Sequence, residues 1–117
     1  MNQTNLLLEL NENSSLTQIQ DYIKKIVEMR GFADQPVQEA MLLLLEETGE
    51  LAKAVRKAAT RMAVDADKSE NYGAVESEAA DVFIVLTSVC NLLNINLYTA
   101  LMEKEKENCE RRWSFAK

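Results

Sequence analysis

Turn-forming residues are scarce in this chain, with 3 glycines and 1 proline among 117 residues. So few reversal points do not suit the many short strands of a sandwich or barrel. They favour a few long helices. Periodicity agrees. Ser15 and Gln18 have capping-box spacing, and Ile19, Ile23 and Ile26 then recur at helical intervals until Gly31. Pro36 is placed as the first residue of a second helix, which the pattern carries to about Met62. Its expected core stripe is Val37, Met41, Leu44, Leu51, Val55 and Ala58, with Thr48 in the remaining slot. Residues 64–73 are polar and aperiodic and read as a loop. A third helix follows, with Val75, Ala79, Val82, Leu86, Val89 and Leu93 on one stripe. Asn94 is placed to close it in a left-handed conformation, and Asn96 to cap a fourth helix. That helix carries Leu97 and Leu101 and becomes highly charged toward Trp113. The expectation is all-α, a four-helix bundle in a single domain over residues 15–117. A loose, Asn-rich arm at 1–14 precedes it, with leucines at 6 to 8 available to dock.

Composition removes whole classes of chemistry. There is no histidine, so neither a Ser-His-Asp nor a Cys-His nucleophile pair can form. The same absence rules out His-ligated zinc and the Glu-x-x-His di-iron bundle. Catalysis would fall to carboxylates, amines, guanidinium groups or hydroxyls. The net charge of −6 gives no global basic footprint for duplex nucleic acid. Cys90 and Cys109 are far apart and form no C-x-x-C pair. Together with the lack of a secretion signal, they read as reduced thiols in a cytoplasmic protein. No apolar run is long enough to span a bilayer, so no membrane partner is expected. Met29, Met41, Met62 and Met102 read as core fillers. Tyr22, Phe32, Tyr72, Phe83, Tyr98, Trp113 and Phe115 are all open candidates for stacking on a base, and nothing in the sequence selects among them.

The acids on two helices stand out from this background. Glu47 and Glu50 are three apart and share a face with Leu43 and Ala54, beside the expected core stripe. Glu78 and Asp81 are again three apart, on a face with Ala74, Val85 and Leu92. Two carboxylates ~5 Å apart repel by ~3 kcal/mol at an effective dielectric of ~20. Four clustered acids therefore take up protons or bind a cation. An all-oxygen cluster suits magnesium or manganese rather than zinc, and magnesium suggests a phosphate-bearing substrate. A solvated acidic face accounts equally well for either pair alone, so periodicity leaves both readings standing.

On the fourth helix, Lys104, Asn108 and Arg111 fall at i, i+4 and i+7 on the face of Leu97 and Leu101. Phosphate-binding side chains on a face expected to point inward are unusual. The alternative is a charged helix end, since basic residues favour the last turn.

The strings EETGELAKA and EAADVFIVL resemble the MazG-like all-α nucleotide pyrophosphohydrolases, whose motif is E-E-x-x-E, a variable spacer, then E-x-x-D. Here it is Glu46-Glu47-x-x-Glu50, residues 51–77, then Glu78-x-x-Asp81. The segment KEKENCERRW is similar to the family's Lys-x-x-x-Asn-x-x-Arg pattern before an aromatic. Arg112 displaces that aromatic, Trp113, by one position. The resemblance covers roughly residues 36–113. It implies magnesium-dependent hydrolysis of a nucleoside triphosphate to the monophosphate and pyrophosphate, a nucleotide-pool housekeeping activity. It implies Glu47, Glu50, Glu78 and Asp81 as ligands to magnesium, with manganese as the other candidate. Glu46 or Glu47 would orient or deprotonate water, and Lys104, Asn108 and Arg111 would clamp the phosphate tail. It further implies a homodimer or homotetramer. Relatives on the same scaffold take dUTP or phosphoribosyl-ATP. A non-catalytic helical interaction module is the alternative from another class.

Overall fold

The computed structural model describes residues 2–115 and is all-helical, with no strand among them. Its α-helices are α1 (Gln3–Leu8), α2 (Leu16–Met29), α3 (Val37–Ala59), α4 (Val75–Leu92) and α5 (Leu97–Glu110). A short 3-10 helix, Ala66–Asn71, lies in the loop between α3 and α4.

Local chemistry sets the boundaries. The Ser15 hydroxyl accepts from the Gln18 amide at 3.0 Å, and Gln18 Oε1 accepts from the Ser15 amide at 2.6 Å. This closes the expected capping box at the start of α2. Gly31, at φ 95°, follows its end. Pro36 sits one position earlier than expected, as the residue before α3, with its carbonyl accepting from Ala40. At the far end of α3, Thr60 Oγ1 donates to the Arg56 carbonyl and accepts from the Met62 amide. The hydroxyl takes up backbone groups that another helical turn would use, so α3 stops at Ala59 rather than near Met62. Asn94 has φ 55° and closes α4, while Asn96 Oδ1 accepts from the Thr99 amide at 2.9 Å and opens α5. Within the arm, α1 is capped by Asn2, and Leu6 is buried while Leu7 and Leu8 are exposed.

The principal packing pair is α3 against α4, with α2 lying on α4. The expected α3 stripe is only partly inside. Met41, Val55 and Ala58 are exposed, while Val37, Leu44 and Leu51 are half-buried. The fully buried positions of α3 are Ala40 and Ala54. Small side chains allow close approach of two helix backbones, so the seam follows the alanines rather than the larger residues. On α4, Val89 and Cys90 are buried as an apolar helix predicts, but Ala79, Leu86 and Leu93 are exposed, and Thr87 is buried instead. Thr87 satisfies its hydroxyl by donating to the Phe83 carbonyl at 2.7 Å. Met29, Met41, Met62 and Met102 are all exposed and fill no core within the chain. Both cysteines are free, and burial pushes the Cys90 thiol pKa up.

The turn between α4 and α5 is held by a residue with no sequence signal of its own. Gln20 of α2 is buried; its Nε2 donates to Asn91 Oδ1 and to the Ile95 carbonyl, and its Oε1 accepts from the Leu97 amide. The axis bends by 99° between α4 and α5. As a result α5 packs mainly on α2, and the bundle stays open on one side. The radius of gyration is 17.4 Å, against roughly 13 Å for a compact chain of this length.

Candidate metal centre

Ala40, Glu47 and Ala54 are spaced by seven residues along α3 and face the same neighbour. The two alanines are buried and Glu47 is half-buried between them, so this carboxylate lies in the seam against α4. From α4, Glu78 is half-buried and Asp81 exposed. Each of the three offers a carboxylate oxygen, and these atoms all lie within 4.8 Å of one another. Burial raises the pKa of Glu47, and the charges of Asp81, Glu78, Glu50 and Glu46 push it further in the same direction. A carboxylate in that position is relieved by a proton or by a cation.

The loop before α4 shapes the cluster. Gly73 lies directly against the Glu78 carboxyl group, and a Cβ at position 73 would overlap Glu78 Oε1. The glycine leaves the space that the Glu78 carboxyl group occupies beside the seam.

The remaining acids of the motif stand apart from the trio. Glu50 is half-buried one turn along α3, and its Oε2 lies 4.0 Å from Lys53 Nζ. Glu46 is exposed. The residues expected to clamp phosphate are on α5 and just past its end, and the main packing partner of this helix is α2 rather than the α3–α4 pair. There Lys104 pairs with Glu107 at 3.0 Å, Asn108 donates to Glu105 at 2.6 Å, and Arg111 is exposed just beyond the helix end.

Other cations share α3 with Glu47, and their charge alone does not single them out. Lys53, Arg56 and Lys57 continue α3 beyond the acids and surround Tyr72 from the following loop. The Arg56 guanidinium donates to the Tyr72 hydroxyl at 2.6 Å, and Lys53 Nζ lies 4.9 Å from the ring centroid. Lys57 Nζ lies 5.8 Å from that centroid and donates to the Ser69 carbonyl.

The donor set is all carboxylate oxygen, which fits a hard divalent cation. Fold and site thus define a class: a helical protein built around a carboxylate cluster at the seam of two helices. The chain belongs to the MazG nucleotide pyrophosphohydrolase family. The family profile, described as the MazG nucleotide pyrophosphohydrolase domain, matches residues 35–113, and the family is generally dependent on a divalent metal. No curated protein and no solved structure matches the chain. No single helix is long and apolar enough to cross a membrane.

Proposed function

We propose that this protein hydrolyses a nucleoside triphosphate to the monophosphate and pyrophosphate with magnesium, as nucleotide-pool housekeeping in the cytoplasm. The observation that carries the reading is the convergence of Glu47, Glu78 and Asp81 from two helices, with Glu47 held in the seam. These three would hold the cation, with Glu50 adjacent as a fourth donor. The cation, when bound, offsets the negative charge of the phosphate oxygens and the charge that develops on them during transfer.

The protein's own groups account for the rest. Glu46 and Glu47 are the carboxylates proposed to orient water and take its proton. Water adds to phosphorus, the bridging P–O bond breaks, and the water oxygen ends in one of the two products. Lys104, Asn108 and Arg111 remain proposed ligands of the phosphate tail. In a homodimer or homotetramer they would reach it from a second copy. The exposed apolar residues of α3, Leu42 at 63% and Leu45 at 64%, support such an assembly.

Asp81→Asn tests the reading. It should abolish release of pyrophosphate from nucleoside triphosphates and weaken magnesium binding. In EDTA it should leave stability equal or higher, because one repelling charge is removed. A variant that unfolds early in EDTA yet turns over normally would point to a structural acid and sink the proposal.

A further inference from the structure

We propose that Lys53, Arg56 and Lys57, gathered around Tyr72, form a further subsite for the pyrophosphate end of the substrate, acting alongside the α5 residues proposed above. The inference rests on the hydrolase reading above and adds a residue set that the E-E-x-x-E and E-x-x-D motifs do not contain.

Three observations carry it. First, the cations are under-neutralised in a protein of net charge −6. Only Lys53 has a carboxylate partner, Glu50, at 4.0 Å. Among the described residues, Arg56 and Lys57 have none within that distance. Arg56 Nε is buried and lacks a hydrogen-bond partner. Three cations within 6 Å of one ring centroid repel one another, and an anion would relieve that repulsion.

Second, Lys57 and the Tyr72 around which the other two cations gather line a cleft. An open space of about 480 Å3 lies between the end of α3 and the start of α4, lined by Lys57, Tyr72, Gly73 and the first turn of α4. Ala74, the residue before α4, supplies no side-chain cap. The first amides of α4 therefore lack partners within the helix and add donors to the same space. Lys57 spends one of its three N–H groups on the Ser69 carbonyl and keeps the others. Glu76 also lines this cleft, as its one carboxylate.

Third, the cleft adjoins the acids. Gly73 contributes to the cleft and also touches Glu78 of the trio. Lys53 and Lys57 lie ~9 Å and ~15 Å beyond Glu47 along the axis of α3. Phosphate oxygens that meet a cation at the trio would leave their remaining charge directed toward this end of the groove. Tyr72, one of the aromatics open to base stacking, instead serves as the platform around which the cations are arranged.

The test is calorimetric titration of the full chain with inorganic pyrophosphate, and separately with a nucleoside monophosphate, in magnesium buffer. Wild type is compared with Lys57→Gln and Lys53→Gln. Lys57 is exposed and its recorded bond is to a loop carbonyl, so its replacement should leave the melting temperature unchanged. Each variant should lose pyrophosphate affinity about tenfold, the size of one charge-assisted hydrogen bond. Monophosphate affinity should stay within about twofold. Unchanged pyrophosphate affinity in both variants, or an equal loss for both ligands, would overturn the subsite. Failure of the hydrolase reading is seen separately, as a wild-type protein that releases no pyrophosphate from any nucleoside triphosphate.

Discussion

Gly73 lies against the carboxyl group of Glu78 so closely that no other residue type fits at that position without moving the acid. The loop between α3 and α4 thus helps to set where one of the three converging carboxylates stands. The neighbour is the far end of a flexible side chain, so a methyl group at 73 can be accommodated by swinging Glu78 aside.

Gly73→Ala should therefore separate binding from stability. The expected loss is tenfold or more in magnesium affinity, in line with other residues that position a ligand. Chemical denaturation in EDTA should change by no more than about 0.5 kcal/mol. Magnesium titration followed by calorimetry reads the first quantity. An unaltered affinity would mean that Glu78 does not hold the cation.

Glu47 makes the metal-free protein sensitive to pH. Its pKa is raised in the folded state, first by burial and then by Asp81, Glu78, Glu50 and Glu46. The folded protein holds the proton at pH values where the unfolded chain has lost it. This group's favourable contribution is fully present below its ordinary value of 4.5 and is lost as pH rises through the raised value. Urea denaturation in EDTA should show Glu47→Gln gaining stability relative to wild type as pH is raised from about 4.5 to 7. A constant difference across that range would show that Glu47 does not titrate in this way.

Gln20 joins α2 to the α4–α5 turn through three hydrogen bonds from its side chain. Gln20→Ala leaves the Leu97 amide, the Ile95 carbonyl and Asn91 without those partners in a part-buried place. Unsatisfied groups of this kind cost about 1–3 kcal/mol each when buried, and partial exposure reduces the cost. A loss of about 2–4 kcal/mol in chemical denaturation is expected. A change below about 0.5 kcal/mol would show that the turn is held by packing alone.

The exposed leucines of α3 predict self-association. Light scattering after size exclusion should give a multiple of the 13.2 kDa chain mass. Leu42→Glu with Leu45→Glu should shift it toward the monomer, because charges in an apolar interface are costly to desolvate. A wild-type protein that elutes only at chain mass would contradict the proposal.

The four longer helices and most of their ends were legible in the sequence, whereas α1 lies in a segment that reads as a loose arm. Capping by Ser15 and Asn96, the left-handed Asn94 and the stop at Gly31 depend on residues within a few positions of one another, and such interactions are legible in order along the chain. The three-residue spacing of Glu47 with Glu50, and of Glu78 with Asp81, was legible for the same reason. Which face of each helix is covered was left to packing between helices. Hydropathy pointed to Met41 and Val55, whereas backbone approach selected Ala40 and Ala54 and carried Glu47 into the seam. Tertiary packing also decided that Gly73 touches Glu78, that Tyr72 collects three cations, and that α5 packs chiefly on α2. Periodicity reports the shape of one helix. Burial depends on which other helix approaches, at what distance and angle, and those are set by contacts between residues far apart in the chain.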